Sequence, residues 1–387
     1  MTRVKSWTDR HLQGDPVIWF IVFGLAILSV LVVYSATGTL AYKKMQGNTE
    51  HYLIKHSMLV FVSFFAMWIA HKLDYRYYSR LSRMALWLSV PLLFITYKFG
   101  TNLNEASRWI TIPVINQAFQ PSDLAKLALI ANLASMLSKR QNNIGDVRES
   151  LIPILLWCGV ICGLIALSNF STAILLFATC MLLMFIGRVP VKYLAMLMLV
   201  GVMAGGVAFS VGERGTTLVN RVLAFWDDDN IPFQAEQSYI AIATGGIFGK
   251  GAGHSDQRNF LPHPYSDFIF AIVLEEYGLF GGGVLLFLYL ALLYRGMVIA
   301  AQSEGTFGGL LSAGLSFALV IQAMVNMGVA VGLGPITGLP LPFVSMGGTS
   351  LLFTGLSLGI ILSVSRENRN KESGNVAEVP SVKAAAA

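Results

Sequence analysis

Apolar runs of bilayer-spanning length recur along almost the whole chain, and a water-soluble fold has no interior large enough to hide them all. A spanning helix needs about 20 mainly apolar residues. Such runs are read at Val17–Ala36, Leu53–Ala70, Ala85–Tyr97, Ser122–Leu137, Leu151–Leu167, Thr172–Ile186, Tyr193–Ser210, Phe268–Tyr294, Gly308–Val331 and Ser345–Val364. The third is short and the fourth carries charges. Only 12% of the 387 residues are charged, about half the roughly 25% of an ordinary soluble protein. The expected fold is an all-α polytopic membrane protein with about ten transmembrane helices. Collagen-like, disordered and disulfide-stapled classes are excluded. The first run is too long for the apolar part of a cleaved signal, so it reads as an uncleaved anchor.

Basic residues in short loops set the orientation. One set of connections, with both chain ends, carries 17 Lys and Arg, among them Lys72, Arg76, Arg80, Arg83, Lys139, Arg140, Arg188 and Lys192. The opposite set carries five: Lys43, Lys44, Lys55, Lys98 and Arg108. Both termini are therefore expected in the cytoplasm, and the large loop of about 211–266, between the seventh and eighth spans, outside. Residues 1–365 read as a single transmembrane domain and 366–387 as a disordered cytoplasmic tail.

The net charge of +6 does not point to nucleic acid, because no basic run is interleaved with aromatics. Cys158, Cys162 and Cys180 fall inside spans and read as small packing residues. The six His residues have no metal-ligand spacing. Thr244-Gly-Gly-Ile-Phe-Gly-Lys-Gly-Ala-Gly253 looks like a phosphate loop but lacks the first Gly and the Ser or Thr after Lys250. Two readings stand for it: an amide nest for an anion, or close backbone packing in a re-entrant loop.

A charge at the centre of a span costs at least ~2.5–3.5 kcal/mol, so each one calls for a reason. Asp123 and Lys126, at i,i+3, can pair on one helix face. They are either a structural lock or a cation held near an anionic ligand at the outer mouth. Asp267 closes the outer loop and opens the next apolar run. It is either a helix cap or a general base at the membrane–water boundary. Glu275 follows eight residues on, about 12 Å deeper at helical rise. Glu275 and Glu276 point to different sides, so one of them is expected to bond a neighbouring helix.

At these residues the chain resembles the SEDS (shape, elongation, division and sporulation) membrane glycosyltransferases, its division branch more than its elongation branch. The motifs run through most of the chain: Ala106-Ser-Arg-Trp-Ile110, Phe119-Gln-Pro-Ser-Asp-Leu-Ala-Lys126, Gln237-Ser-Tyr239, Gly249-Lys-Gly-Ala-Gly253 and Asp267-Phe-Ile-Phe-Ala271. They continue through Glu275-Glu276, Asn326, Gly338-Leu-Pro-Leu-Pro-Phe343 and Ser345-Met-Gly-Gly-Thr-Ser350. Three departures stand out. Met346 precedes the paired glycines where Tyr, Ser or Ala is usual, Asp123 stands where Glu is commoner, and Asn169-Phe-Ser-Thr172 lacks the acid of a Pro-Asp-Leu-Gly-Thr-like stretch.

The resemblance implies a peptidoglycan glycosyltransferase that polymerises lipid II, with Asp267 matching the family's essential outer carboxylate. It implies substrate contacts from Lys126, Asp123, Arg108, Trp109, Lys250, Gln237 and Ser345. The leaving pyrophosphate needs positive charge, from these basic residues or from a divalent cation such as Mg2+ or Mn2+. No metal cage of protein ligands is expected. The implied partners are a class B penicillin-binding transpeptidase (FtsI-like), other division proteins and membrane lipid. The implied location is the bacterial inner membrane at the division septum. A lipid II flippase, an elongation-type polymerase and a scaffold remain as alternative readings.

Overall fold

The computed structural model describes residues 12–38, 40, 42, 49–103, 106–112, 117–144, 146–211, 215–226 and 231–378. The chain forms a bundle of helices: α1 (Pro16–Ala36), α2 (Thr49–Lys72), α3 (Tyr78–Phe99), α4 (Pro121–Lys139), α5 (Ile152–Ser168), α6 (Phe170–Ile186) and α7 (Val191–Val211). It continues through α8 (Gly215–Trp226), α9 (Phe233–Gly245), α10 (Ile269–Gln302), α11 (Thr306–Ala330) and α12 (Gly348–Glu378). All ten apolar runs lie in helices apart from a residue or a few at their ends. Among the described residues six helices are long and apolar enough to cross a membrane, namely α1, α2, α5 with its preceding turn, α10, α11 and α12. The charges that set α3 and α4 apart are Arg80, Arg83 and Lys98 on one, and Asp123, Lys126 and Lys139 on the other.

Local chemistry explains where helices begin. Asp15 caps α1, its Oδ1 accepting from the amides of Val17 (2.8 Å) and Ile18 (3.4 Å), with Pro16 next in line. The same carboxylate takes the guanidinium of Arg295 from the far end of α10, so two helix ends are tied at one face of the bundle. Asn169, where the family's acid is missing, caps α6 by accepting from the amide of Thr172.

Three expectations change. The 211–266 stretch is not a plain loop: it contains the helices α8 and α9. The chain between α3 and α4 folds into a small antiparallel sheet of β1 (Thr101–Leu103), β2 (Ala106–Ile112) and β3 (Gln117–Phe119). The polar end expected to be disordered continues α12 as far as Glu378. Its first turns beyond Ser365 are fastened to the bundle, Arg366 to the carbonyl of Lys72, Asn368 to that of Ile299 and Arg369 to that of Gly14. The rest of that tail, 379–387, lies outside the described residues.

Candidate active site

Asp267 stands just before α10, on a stretch tied to a second strand of irregular chain, Gly338–Ser345. Ser345 Oγ donates to the carbonyl of Ser266 (2.5 Å) and accepts from the amide of Leu341, and the amide of Met346 donates to the carbonyl of Tyr265. Asn326 of α11 donates through Nδ2 to two carbonyls at once, Asp267 (2.8 Å) and Leu339 (2.7 Å). Four residues earlier on the same face, Gln322 donates to the carbonyl of Pro340 (2.8 Å). Tyr289 and Ser29 hold the next carbonyls, Pro342 and Val344. Buried Phe343 lies at φ 66°, a left-handed conformation for a residue with a bulky side chain, and packs edge-on against Phe64. Backbone that dips among helices must have its polar groups satisfied, and these bonds do so nearly carbonyl by carbonyl.

The Asp267 carboxylate itself is half-buried, and among the described residues no hydrogen bond or ion pair engages it. It is not a helix cap: α10 begins at Ile269, its cap position is Phe268, and no side chain bonds the first turn. Gly338, at φ 64°, faces it, so that a Cβ there would stand 3.7 Å from Asp267 Oδ2.

The pair Asp123 and Lys126 forms as the spacing predicts, with Lys126 Nζ 2.8 Å from Asp123 Oδ1. Lys126 Nζ also reaches Gln322 Oε1 at 3.4 Å. Asp123 is 4% exposed, and its Oδ2 is buried with no partner among the described residues. Both charges border a cavity of about 50 Å³, whose walls include Gln322, Ser350 and Thr354. Such a space holds a few waters. Polar groups of α11 thus bring together two features distant in sequence. Gln322 meets the ion pair, and Asn326, about 6 Å further along the axis, meets the backbone of Asp267.

Glu275 and Glu276 turn to different partners, as expected, but their depth is corrected. Glu276 accepts from Ser35 Oγ at the end of α1. Glu275 is fully buried and accepts from Lys250 Nζ (2.7 Å), Ser255 Oγ (2.5 Å) and the amide of Asp256 (3.1 Å). The stretch beside Asp267 is joined through Ser345 to Val344, which is held by Ser29, about 9 Å deeper along α1 than Ser35. The depth order is therefore the reverse of that expected from a continuous helix. The reason is Gly278, at φ 65°, which breaks α10 into a short rising segment and a long spanning one.

The glycine-rich stretch resolves in favour of backbone packing. The amides of Lys250 and Gly251 donate to the carbonyls of Glu275 and Glu276, and those of Leu279 and Phe280 donate to Gly246 and Ile247. A Cβ on Gly249 would lie 2.2 Å from the Glu276 carbonyl oxygen, and one on Gly278 would lie 2.3 Å from that of Ile247. Lys250 is held by Glu275 and by Asp256 at 3.0 Å, and the Glu275 bond foremost raises its pKa.

The other expected site residues are scattered around this centre. Gln237 is buried on α9, beside Ser238, which bonds the last carbonyl of α11. Trp109 is half-buried on β2, paired across the strand with Thr101. Arg108 precedes it on β2, and its side chain lies outside the described residues. Among the described residues no three His, Cys, Asp or Glu side chains gather as a metal cage. The half-buried Asp267 carboxylate, unengaged among the described residues, is the group at hand for a divalent ion held mainly by phosphate oxygens. Sequence reasoning missed Gln322; a second carboxamide one turn before Asn326 inside an apolar run was the available signal.

A family model described as cell cycle protein, covering FtsW, RodA and SpoVE, matches residues 16–370. A probable peptidoglycan glycosyltransferase FtsW of Geobacter sp. (strain M18) is 34% identical over 370 residues, which is 93% of this chain and 99% of the relative. Stage V sporulation protein E of Bacillus subtilis (strain 168) is 32% identical over 375 residues, 94% of this chain and 100% of the relative. Among solved structures, the rod shape determining protein RodA of Thermus thermophilus superposes with a TM-score of 0.67 at 25% identity, covering 92% of this chain and 97% of that one. A chain from a peptidoglycan synthase complex, in work on the coordination of polymerization and crosslinking, superposes with a TM-score of 0.69 at 26% identity over 89% and 98%. The agreement over nearly the full length, in sequence and in the polytopic helical fold alike, shows that the chain belongs to the FtsW/RodA/SpoVE family of multi-pass membrane proteins.

Proposed function

We propose that the chain is a peptidoglycan glycosyltransferase that polymerises lipid II during septal wall synthesis, with Asp267 as general base. One observation carries the reading: an unengaged carboxylate, facing a glycine, stands beside the same helix face that holds the Asp123–Lys126 pair. A base-bearing segment and a cation tied to one helix suit a reaction in which a hydroxyl loses a proton while a diphosphate departs.

Asp267 takes the proton of the attacking sugar hydroxyl as its oxygen bonds the anomeric carbon. The bond from that carbon to the diphosphate oxygen breaks, and the prenyl diphosphate leaves with both electrons. One displacement inverts the centre, so one base suffices. Lys126, with one carboxylate beside it where Lys250 has two, faces the departing negative charge. Arg108 and Trp109 on β2 add contacts to the substrate's head, while buried Ser345 and Gln237 hold the walls. A divalent ion, when bound, would neutralise diphosphate oxygens. Residues 1–365 act as one transmembrane unit with Asp267 facing outside, both termini are cytoplasmic, and an FtsI-like transpeptidase is the partner.

Asp267→Asn tests this directly. Asn keeps the shape, and no capping bond is at stake. The expected result is a fall of about 10²–10⁴ in polymer formed from purified lipid II, with unchanged detergent melting. Near-normal polymer would remove Asp267 from the chemistry.

A further inference from the structure

The reading of Lys126 as the cation for the diphosphate leaves open what aims it. An ammonium on a four-carbon stem has many rotamers, and an i,i+3 partner fixes only one of its three donors. Gln322 supplies a second fixed point. Its amide is 7% exposed and has both ends engaged, Oε1 accepting from Lys126 at 3.4 Å and Nε2 donating to the carbonyl of Pro340 at 2.8 Å. The Pro340 carbonyl follows that of Leu339, which Asn326 holds together with Asp267. Because a carboxamide is planar, the donor bond to Pro340 sets the direction in which the acceptor faces Lys126.

We propose that Gln322 is a positioning residue that aims Lys126 at the diphosphate of the lipid-linked substrate and keeps it in register with the base-bearing segment. It touches no reacting atom. Its effect passes through Lys126, on the α4 side of the cavity that the two residues share with Asp123. The pair Gln322 and Asn326, one turn apart on α11, then works as a rack: one carboxamide sets the cation and the other sets the backbone of the base.

This rests on the diphosphate role of Lys126, and one experiment separates the two. Binding of a prenyl diphosphate to the full-length detergent-solubilised protein is measured for the unchanged chain, Gln322→Met, Lys126→Met and the double variant, with thermal melting as the check on folding. Met matches the Gln side chain in length and flexibility and can neither accept from Lys126 nor donate to Pro340. Expected is a loss of about tenfold from Gln322→Met, the weight of one hydrogen bond to a charged group, and no further loss when Lys126 is already Met. Equal losses in both backgrounds would show that Gln322 acts through the loop alone, and no loss in either would show no role; both overturn the inference. If Lys126→Met binds normally, the reading of Lys126 fails first and the inference falls with it. Should Gln322→Met fold poorly, Gln322→Asn, with the same amide on a stem too short to span both partners, carries the same comparison.

Discussion

At the scale of single residues, the structure separates a lysine held by two carboxylates, Lys250, from one held by a single carboxylate, Lys126. Lys250 lies in the stretch that most resembles a phosphate loop, yet it is fixed by Glu275 and Asp256. Glu275 is fully buried, so Lys250 and the Ser255 hydroxyl are what make its charge tolerable there. Replacing Lys250 by Met should therefore loosen the 246–259 stretch rather than weaken substrate binding. The pH dependence follows from the sign of the shift. The Lys250 pKa is raised, chiefly by Glu275, so its contribution is fully present at neutral pH and below the ordinary lysine value of about 10.4. It is lost only as pH climbs through the raised value. The melting temperature that Lys250→Met loses relative to the unchanged chain in detergent should thus hold constant from pH 7 to 9 and shrink above about pH 10.5. A difference that already shrinks at pH 8 would contradict the arrangement.

At the scale of elements, the break at Gly278 decides the geometry of the site. A continuous α10 would carry Glu275 downward from Asp267. The broken one sends a short segment up to a cap of glycine-rich backbone and then starts the long span. Two glycines of that cap show how closely it is packed. Gly249 has φ 82° and no room for a Cβ, whereas Gly253 has φ 79° but open space around it. Gly253→Ala should cost about 1–2 kcal/mol, the left-handed penalty alone. Gly249→Ala must also displace backbone, and it should cost more than about 4 kcal/mol or prevent folding. Detergent melting of the two variants checks this, and equal losses would mean that the cap is not packed as described. Hydropathy cannot reveal the break, because Leu274–Phe280 reads as unbroken apolar helix around two acids.

At the scale of the whole molecule, orientation governs whether the site can meet an extracytoplasmic substrate. Ala252 and Ala301 are both exposed, one beside the glycine-rich cap and the other at the end of α10 near Ile299, where Asn368 docks. An impermeant thiol reagent added to intact spheroplasts should label Ala252→Cys and spare Ala301→Cys until the membrane is opened. The reverse pattern would place Asp267 in the wrong compartment and end the glycosyltransferase reading. The sequence by itself determined the solvent, the helical class, the positions of the apolar helices and the Asp123–Lys126 pair. All of these follow from local spacing or from a transfer cost paid residue by residue. It also carried the motifs by which the family is recognised. Only the tertiary structure decided that Asp267 caps nothing, that Glu275 lies above it, that Lys250 is occupied and that Gln322 joins the cation to the base-bearing segment. Those outcomes depend on which carbonyls of Gly338–Ser345 and of the glycine-rich cap find donors on distant helices. Hydrogen bonds between residues tens to hundreds of positions apart leave no periodicity in the chain from which to read them.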